Sequence, residues 1–334
     1  MVPTWLIISA TVALFVLWLA LAAWVVGSRV AHDRLVRTRR RDAGLLADGV
    51  DPRRWSRRRL WRTADGEPLL GVAEAARELV SRDGPRLRRL ASGNSQRRSH
   101  ALRVLTRGGS TFAFRLLRSA LETAPPDLRA AIVAIAAEQQ TQSADDLLLQ
   151  ILVDGSHPRS RTATELTPRA RRLAPRLIDL TDHPEPEVRY WALMLLRGAP
   201  DKPGAKAAAV RCSNDPSGTV RSAAARLLGA TGASDVERAL RPLLADEVFF
   251  VRSHAARAVG EARAESLAED VAALLSDTSW WVRAAAKETL FLLGDSGLEA
   301  ASEMLQDEDE FARDSAREVV SAFRRESRPL ELAR

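Results

Sequence analysis

The residues best suited to chemistry in this sequence are five histidines (His32, His100, His157, His183 and His254), one cysteine (Cys212) and an acidic run from Asp307 to Glu310. Imidazoles can hold a metal or move protons near neutral pH, a thiolate can act as a nucleophile, and paired carboxylates can divide acid and base roles. Each of these needs partners at a set spacing. The histidines are scattered, and none stands at metal-ligand spacing, so metal catalysis is not expected. No Cys-x-x-Cys pair, Gly-x-Ser-x-Gly elbow or glycine-rich phosphate loop occurs. The lone cysteine excludes an internal disulfide and reads as a small buried residue in a reducing compartment. Four acids in a row read as a solvated face. These residues point to no cofactor, no metal and no catalysis.

The charged residues that do recur form another pattern: an aspartate, with an arginine six residues later and an alanine three beyond it. It occurs as DPSGTVRSAA from Asp215 to Arg221, DEVFFVRSHA from Asp246 to Arg252, DTSWWVRAAA from Asp277 to Arg283, and DEDEFARDSA from Asp307 to Arg313. The arginines are 31, 31 and 30 residues apart, too long for a coiled coil and right for a stack of two-helix units. Upstream the phase continues in degenerate form through Arg98, Arg129, Arg161 and Arg189. That makes about eight units, the best formed lying within 181–325.

In each unit the residue before the arginine, the third after it and the sixth or seventh after it draw one stripe down a helix. Val220, Ala224, Leu227 and Leu228 make the stripe in one unit; Val282, Ala286, Thr289 and Leu290 make it in another. A small residue recurs at Ala192, Ala224, Ala255, Ala286 and Ala316, which lets neighbouring helices approach at the close end of the roughly 8–10 Å range. The aspartates fall just before these helices, where a carboxylate accepts from unpaired backbone N–H groups. Gly229, Gly260 and Gly294 are expected to stop them. A second amphipathic run precedes each turn, as in Val236 to Leu244, so the unit is helix, turn, helix.

This skeleton resembles HEAT repeats, in particular the short bacterial HEAT-like class of about 30 residues in its membrane-anchored form. The resemblance implies an all-α fold, a right-handed α-solenoid of two-helix repeats preceded by one transmembrane helix. It also implies that the aspartates and arginines form a structural ladder between successive units, here Asp215 with Arg221, Asp246 with Arg252, Asp277 with Arg283, and Asp307 with Arg313. HEAT-repeat iron hydroxylases carry repeated His-Glu pairs, which this chain lacks. Similar short repeats also occur in lyases that attach bilin pigments, so the alternative reading is a lyase or lyase subunit holding a ligand in the concave groove.

Residues Met1 to Ser28 carry no charge, and Trp5 to Val26 is a 22-residue apolar run that measures roughly 33 Å as a helix, enough to span a bilayer. Trp5 and Trp24 lie near its ends, and Arg29, Arg34, Arg37, Arg39, Arg40 and Arg41 follow as a membrane-proximal basic cluster. The expected organisation is an anchor at 1–28, a basic juxtamembrane linker with the first helices at 29–65, and the solenoid at 66–334. By the positive-inside rule the protein crosses a cell inner membrane once, N-terminus out and solenoid cytoplasmic. Between Arg29 and Arg62 there are 12 arginines against four acids, so contact with anionic lipid is expected only for those nearest the bilayer. RRWSRRRLWR, from Arg53 to Arg62, fits either a return to the membrane surface or a first solvated helix of the stack.

Charge is uneven: residues 1–180 hold 30 basic and 17 acidic side chains, and 181–334 hold 20 and 26. A nucleic-acid-binding solenoid spreads its basic stripe along one surface, but here the best-formed repeats are the acidic ones, so nucleic acid is not the expected partner. The sharper feature is aromatic. Where one unit has Gly218-Thr219, the next two carry Phe249-Phe250 and Trp280-Trp281, large rings in a place normally polar and hence candidates for partner binding. One ring of each pair is expected to pack between units. The function expected is a non-catalytic scaffold that binds a protein partner at the membrane. Its resemblance to anchored HEAT proteins implies a role accessory to membrane machinery such as a polysaccharide-synthesising glycosyltransferase.

Overall fold

The computed structural model describes the backbone of residues 4–66, 71–93, 97–110, 112–232 and 236–326; in the first helix, side chains are described at Trp18, Leu21 and from Trp24 onward. Among the described residues the chain is all-helical. It divides into two compact units, Met1–Leu147 and Leu148–Arg334. The first holds α1 (Thr4–Ala47), α2 (Arg57–Ala64), α3 (Val72–Ser92), α4 (Arg98–Arg107), α5 (Ala113–Thr123) and α6 (Pro126–Ala137). α2 packs on α3, α3 on α4, and α4 on α5 and α6, while the end of α1 lies against α2 and α3. RRWSRRRLWR therefore belongs to the stack: Trp55 and Leu60 are buried, and Ser56 caps α2 by accepting from the Arg59 N–H.

α1 also changes the expected anchor and linker. One 44-residue helix carries the apolar run and the basic cluster Arg29–Arg41 without a break. The transmembrane span expected at Trp5–Val26 is not found, because among the described residues no helix is long and apolar enough to cross a membrane. Most side chains of that run lie outside the described residues; those that are described, Trp18, Leu21, Trp24, Val25 and Val26, are exposed.

α7 (Gln142–Asp154) spans the division between the units. Beyond it follow α8 (Arg159–Leu166), α9 (Ala170–Leu180), α10 (Pro186–Leu196), α11 (Ala205–Cys212), α12 (Gly218–Thr231), α13 (Glu237–Leu244), α14 (Phe249–Ala262), α15 (Ala268–Ala272), α16 (Trp280–Leu292), α17 (Asp295–Glu303) and α18 (Glu310–Glu326). The arginine-bearing helices α8, α10, α12, α14, α16 and α18 pack each on the next, and α11, α13, α15 and α17 back them. Thus alternate helices form two layers, as the two-helix repeat requires.

The stripe read from the sequence is the buried face of the arginine-bearing helices. Val220, Ala224, Leu227, Leu228, Val282, Ala286, Thr289 and Leu290 are wholly buried, as are Ala192, Ala255 and Ala316. Thr289 brings a hydroxyl into this core and satisfies it by donating to the Ala256 carbonyl at 2.9 Å, which removes the penalty of an unpaired buried group. Gly229 and Gly260 do not stop their helices. α12 runs on to Thr231 and ends at Gly232 in the left-handed region, and α14 ends at Arg263, also left-handed. Gly229 instead sits where a Cβ would come within 2.8 Å of the Ala258 Cα, so it is glycine for close helix packing. Gly294, with φ 67°, does end α16.

The tightest such approach is at Gly297 in α17, where a Cβ would lie 1.8 Å from the Leu290 carbonyl oxygen of α16. Gly297→Ala is expected to destabilise by about 3 kcal/mol, because overpacking against backbone cannot relax by a rotamer change and outweighs the roughly 1 kcal/mol that alanine gains in helix propensity. Urea unfolding followed by circular dichroism measures it, and an unchanged midpoint would refute the close contact.

Candidate functional site

The recurring arginine is a junction. In five successive arginine-bearing helices its Nη1 donates back to two carbonyls of the turn ahead of its own helix: Arg189 to His183 and Pro184, Arg221 to Asp215 and Pro216, Arg252 to Asp246 and Glu247, Arg283 to Asp277 and Thr278, and Arg313 to Asp307 and Glu308. Its other two nitrogens reach forward to the aspartate of the next repeat. Arg189 grips Asp215 at 2.7 and 2.9 Å, Arg221 grips Asp246 at 2.6 and 2.9 Å, and Arg252 grips Asp277 at 2.6 and 2.9 Å. The rungs therefore do not join Asp215 to Arg221 or Asp246 to Arg252 through their side chains. The aspartate of the same repeat offers its arginine only a backbone carbonyl, since its carboxylate faces the preceding helix.

Each aspartate also orders the turn that starts its helix. The Oδ1 of Asp215, Asp246, Asp277 and Asp307 accepts from the N–H two residues on, at 2.8 to 2.9 Å. Burial alone would raise the Asp246 and Asp277 carboxyls, but the hydrogen bonds from Arg221 and Arg252, and from the Val248 and Ser279 N–H groups, hold both below the usual carboxylate range. The matching hydrogen bonds raise Arg189, Arg221 and Arg252 above the ordinary arginine value. Bidentate charge-assisted pairing of this kind fixes orientation as well as separation.

The ladder varies at both ends. Asp307 follows Arg283 one residue sooner than Asp246 follows Arg221, and the Arg283 guanidinium lies over the Phe311 ring, 5.0 Å from its centroid. At the other end the expected Arg161 is not the ladder residue. Arg159 is: it donates to the carbonyls of Leu152 and Val153, and reaches forward to Glu185 at 2.8 Å and Glu187 at 2.5 Å. Its 26-residue step to Glu185 equals that from Arg189 to Asp215. That regular step is the signal that finds it.

The ladder places the aromatic pairs. Phe249-Phe250 and Trp280-Trp281 are not in the turn but form the first two residues of α14 and α16. Within each pair the rings meet edge to face, with centroids 5.7 and 4.9 Å apart. Phe250 is half-buried over the preceding repeat, its ring tip close to Gly218: a Cβ there would lie 3.6 Å away, in ordinary van der Waals contact. Both tryptophans are 59% exposed and Phe249 is 45% exposed, so the expected packing of one ring per pair holds for the phenylalanines and not for the tryptophans. Phe311, overlooked in the sequence because its pair partner is Glu310, takes the same second position in α18 and is 63% exposed. Exposed rings thus mark the starts of three consecutive arginine-bearing helices. Glu247 and Glu308 in the turns beside them, and Glu310 at the first position of α18, are all exposed.

Two further titratable groups, His254 and Cys212, sit inside the fold. His254 is hydrogen-bonded to the Ser222 hydroxyl at 2.7 Å and to Arg226; burial, then the charges of Arg226, Arg257 and Arg197, push it down to about 4. It is a neutral acceptor at physiological pH. Cys212 is buried and pushed up to about 11 by burial, with Asp215 adding to it, which keeps its thiol protonated near neutral pH. Among the described residues no group of three or more His, Cys, Asp or Glu is placed to hold a metal.

Residues 174–255 match the family model for HEAT repeats, which covers the helices carrying the first two well-formed rungs. A search of curated proteins returns no match. Similar solved structures include YibA of Escherichia coli, 18% identical over 75% of this chain and 96% of that one with a TM-score of 0.42. Human deoxyhypusine hydroxylase in complex with glycerol is also similar, 18% identical over 76% of this chain and 98% of that one with a TM-score of 0.31. An engineered protein is 18% identical over 80% and 74%, with a TM-score of 0.33.

The ladder sets an acid limit. Asp246→Asn is expected to destabilise by about 1.5–3 kcal/mol at neutral pH, the range for hydrogen bonds to charged groups. A carboxyl held below its unfolded value of about 3.9 stabilises fully above that pH, and the benefit disappears as pH falls through the lower folded value. The gap between parent and Asp246→Asn in thermal midpoint should therefore close as pH drops below about 4; a gap constant from pH 7 down to acid unfolding would contradict the pairing.

Proposed function

We propose that this protein is a non-catalytic HEAT-repeat scaffold, in the form of a right-handed solenoid, that docks a protein partner at a cell inner membrane. The observation that carries the docking reading is the set of exposed rings, Phe249, Trp280, Trp281 and Phe311, held in register at the starts of α14, α16 and α18. Large exposed aromatics grouped on ordered backbone are unusual on a monomer surface and common as binding anchors. With Glu247, Glu308 and Glu310 beside them, they fit a partner segment that presents an apolar anchor flanked by lysine or arginine. Phe250 serves as packing under this surface. Attachment to the membrane is assigned to residues 5–26, on the strength of their uncharged sequence, with the arginines from Arg29 to Arg41 on the cytoplasmic side. A glycosyltransferase or other membrane machinery is the kind of partner that this arrangement serves.

The alternative, a lyase-type enzyme binding a ligand among the inner helices, would need convergent titratable groups. A groove of about 740 Å³ between α16 and α18 has an apolar floor of Phe291, Leu292, Val319 and Ala322 and a rim of Lys287, Glu288, Arg317, Glu318 and Arg325. Lys287 is tied to Glu318 at 2.5 Å, so part of that rim is ion-paired on the surface of the helices.

The test is capture from carbonate-washed, detergent-solubilised membranes of the native cells. Parent protein should remain with the membranes and bring down a partner. Phe249→Ser with Trp280→Ser should stay membrane-bound with unchanged helicity and lose that partner, since aromatic anchors each carry about 2–4 kcal/mol of binding. Unchanged recovery of the partner would eliminate this surface, and release of the parent by carbonate would eliminate the anchor.

A further inference from the structure

The first unit contains a basic cleft that plays no part in the scaffold reading. It has a volume of about 670 Å³ and lies among α1, α2, α3 and the start of α4. Arg39, Arg57, Arg58, Arg62, Arg86 and Arg97 line it, against two carboxylates, Asp65 and Asp83. Six cations and two anions leave a surplus of four positive charges.

The acids do not neutralise this surplus; they hold part of it in place. Asp65 is 7% exposed at its side chain and takes Arg39 at 3.4 Å, His100 at 2.7 Å and Arg103 at 3.2 Å. Asp83 takes Arg57 at 3.4 Å. Just outside the lining, buried Asp42 takes Arg59 at 2.9 Å and Arg62 at 2.7 Å. Arg58 and Arg86 differ. Both are exposed, and among the described residues neither has a carboxylate in ion-pair range. Leu79 and Leu87 supply a buried floor and Trp61 a half-buried ring beside them.

A concave site with low-dielectric walls and one sign of charge focuses potential on whatever enters. An arginine fork pairs two-for-two with a carboxylate or a phosphate, but a phosphate group offers three free oxygens and up to two charges on one centre, so two guanidinium groups can grip it at once. The volume is that of a small-ligand site, in the range of about 300–1,000 Å³. A nucleic acid would need basic residues extended along a groove rather than gathered in one cleft.

We infer that this cleft binds a compact anion carrying two or more phosphate charges, presented as a phospholipid headgroup or as a soluble polyphosphate, with Arg58 and Arg86 as its principal contacts. The site is independent of the aromatic surface, which lies in the other unit.

The experiment titrates the full chain, in neutral detergent, by calorimetry in two arms: sodium tripolyphosphate, and mixed micelles containing phosphatidic acid with diacylglycerol micelles as blank. Arg58→Ala with Arg86→Ala should weaken binding about tenfold, as loss of two charge-assisted contacts implies. Arg88→Ala with Arg118→Ala removes the same charge from exposed positions outside the cleft and should change binding less than about twofold, the residue of long-range attraction. Arg58→Lys with Arg86→Lys keeps the charge and loses the fork, so it should weaken binding about threefold; should the alanine pair lose helicity, this pair decides. Binding in only one arm identifies the source of the phosphate. Equal weakening by the two alanine pairs, no effect of the lysine pair, or no binding in either arm would overturn the assignment.

Discussion

The constraint on which the described repeats depend is that one guanidinium closes two turns at once. Arg221 fastens the carbonyls that open its own helix and, through its remaining nitrogens, the aspartate that opens the next. That aspartate in turn fastens the N–H of Val248. Backbone start, side-chain rung and following backbone start are therefore one hydrogen-bonded chain, repeated at Arg189 and Arg252. The rungs are mostly shielded, with arginine side chains 13 to 16% exposed and aspartates 7 to 8%, so solvent screens them less than surface pairs. The apolar stripe supplies the bulk of the stabilisation, as in any stack of amphipathic helices. The ladder sets the register at which the stripe is buried.

That register has a consequence for recognition. Because every rung ties down the residues just ahead of a helix, whatever occupies the first two helical positions is displayed from rigid backbone. In α12 those positions hold Gly218 and Thr219; in α14 and α16 both hold rings, and in α18 the second does. Binding anchors held by ordered backbone lose less entropy on complex formation than anchors on a mobile loop. By contrast, the exposed pairs Arg257–Glu288 and Lys287–Glu318, on the same layer of helices, are the kind of surface ion pair worth little to stability.

Much of this was legible in the sequence, for a reason of periodicity. An arginine that must meet the same backbone carbonyls in each repeat cannot drift, so the 31-residue step survives where apolar identities vary. The buried alanines and Val220, Val251 and Val282 follow from the same register. What escaped was set by three-dimensional neighbours. The rung partner is the aspartate of the next repeat, not the one six residues before the arginine that the family resemblance implies. Arg159 was passed over for Arg161 because its acceptor is a glutamate. Gly229 reads as a stop signal, yet its role comes from Ala258 on another helix. Phe311 stood without a ring beside it. The basic cleft exists only once Leu35 and Arg39 of α1 meet Arg86 and Arg97, and no window of sequence holds them together.

The central claim, that the arginine of one repeat and the aspartate of the next act as a single unit, is tested most directly by a double-mutant cycle on Arg252 and Asp277. Arg252→Ala, Asp277→Ala and the double variant are compared with the parent by urea unfolding; loss of the bonds from Arg252 to the Asp246 and Glu247 carbonyls is common to both arginine variants and cancels. The coupling energy should be about 1.5 kcal/mol or more, while Arg221 with Asp277, which belong to different rungs, should be additive within about 0.5 kcal/mol. Additivity of Arg252 with Asp277 would show that the rungs merely accompany the helix packing and do not set it.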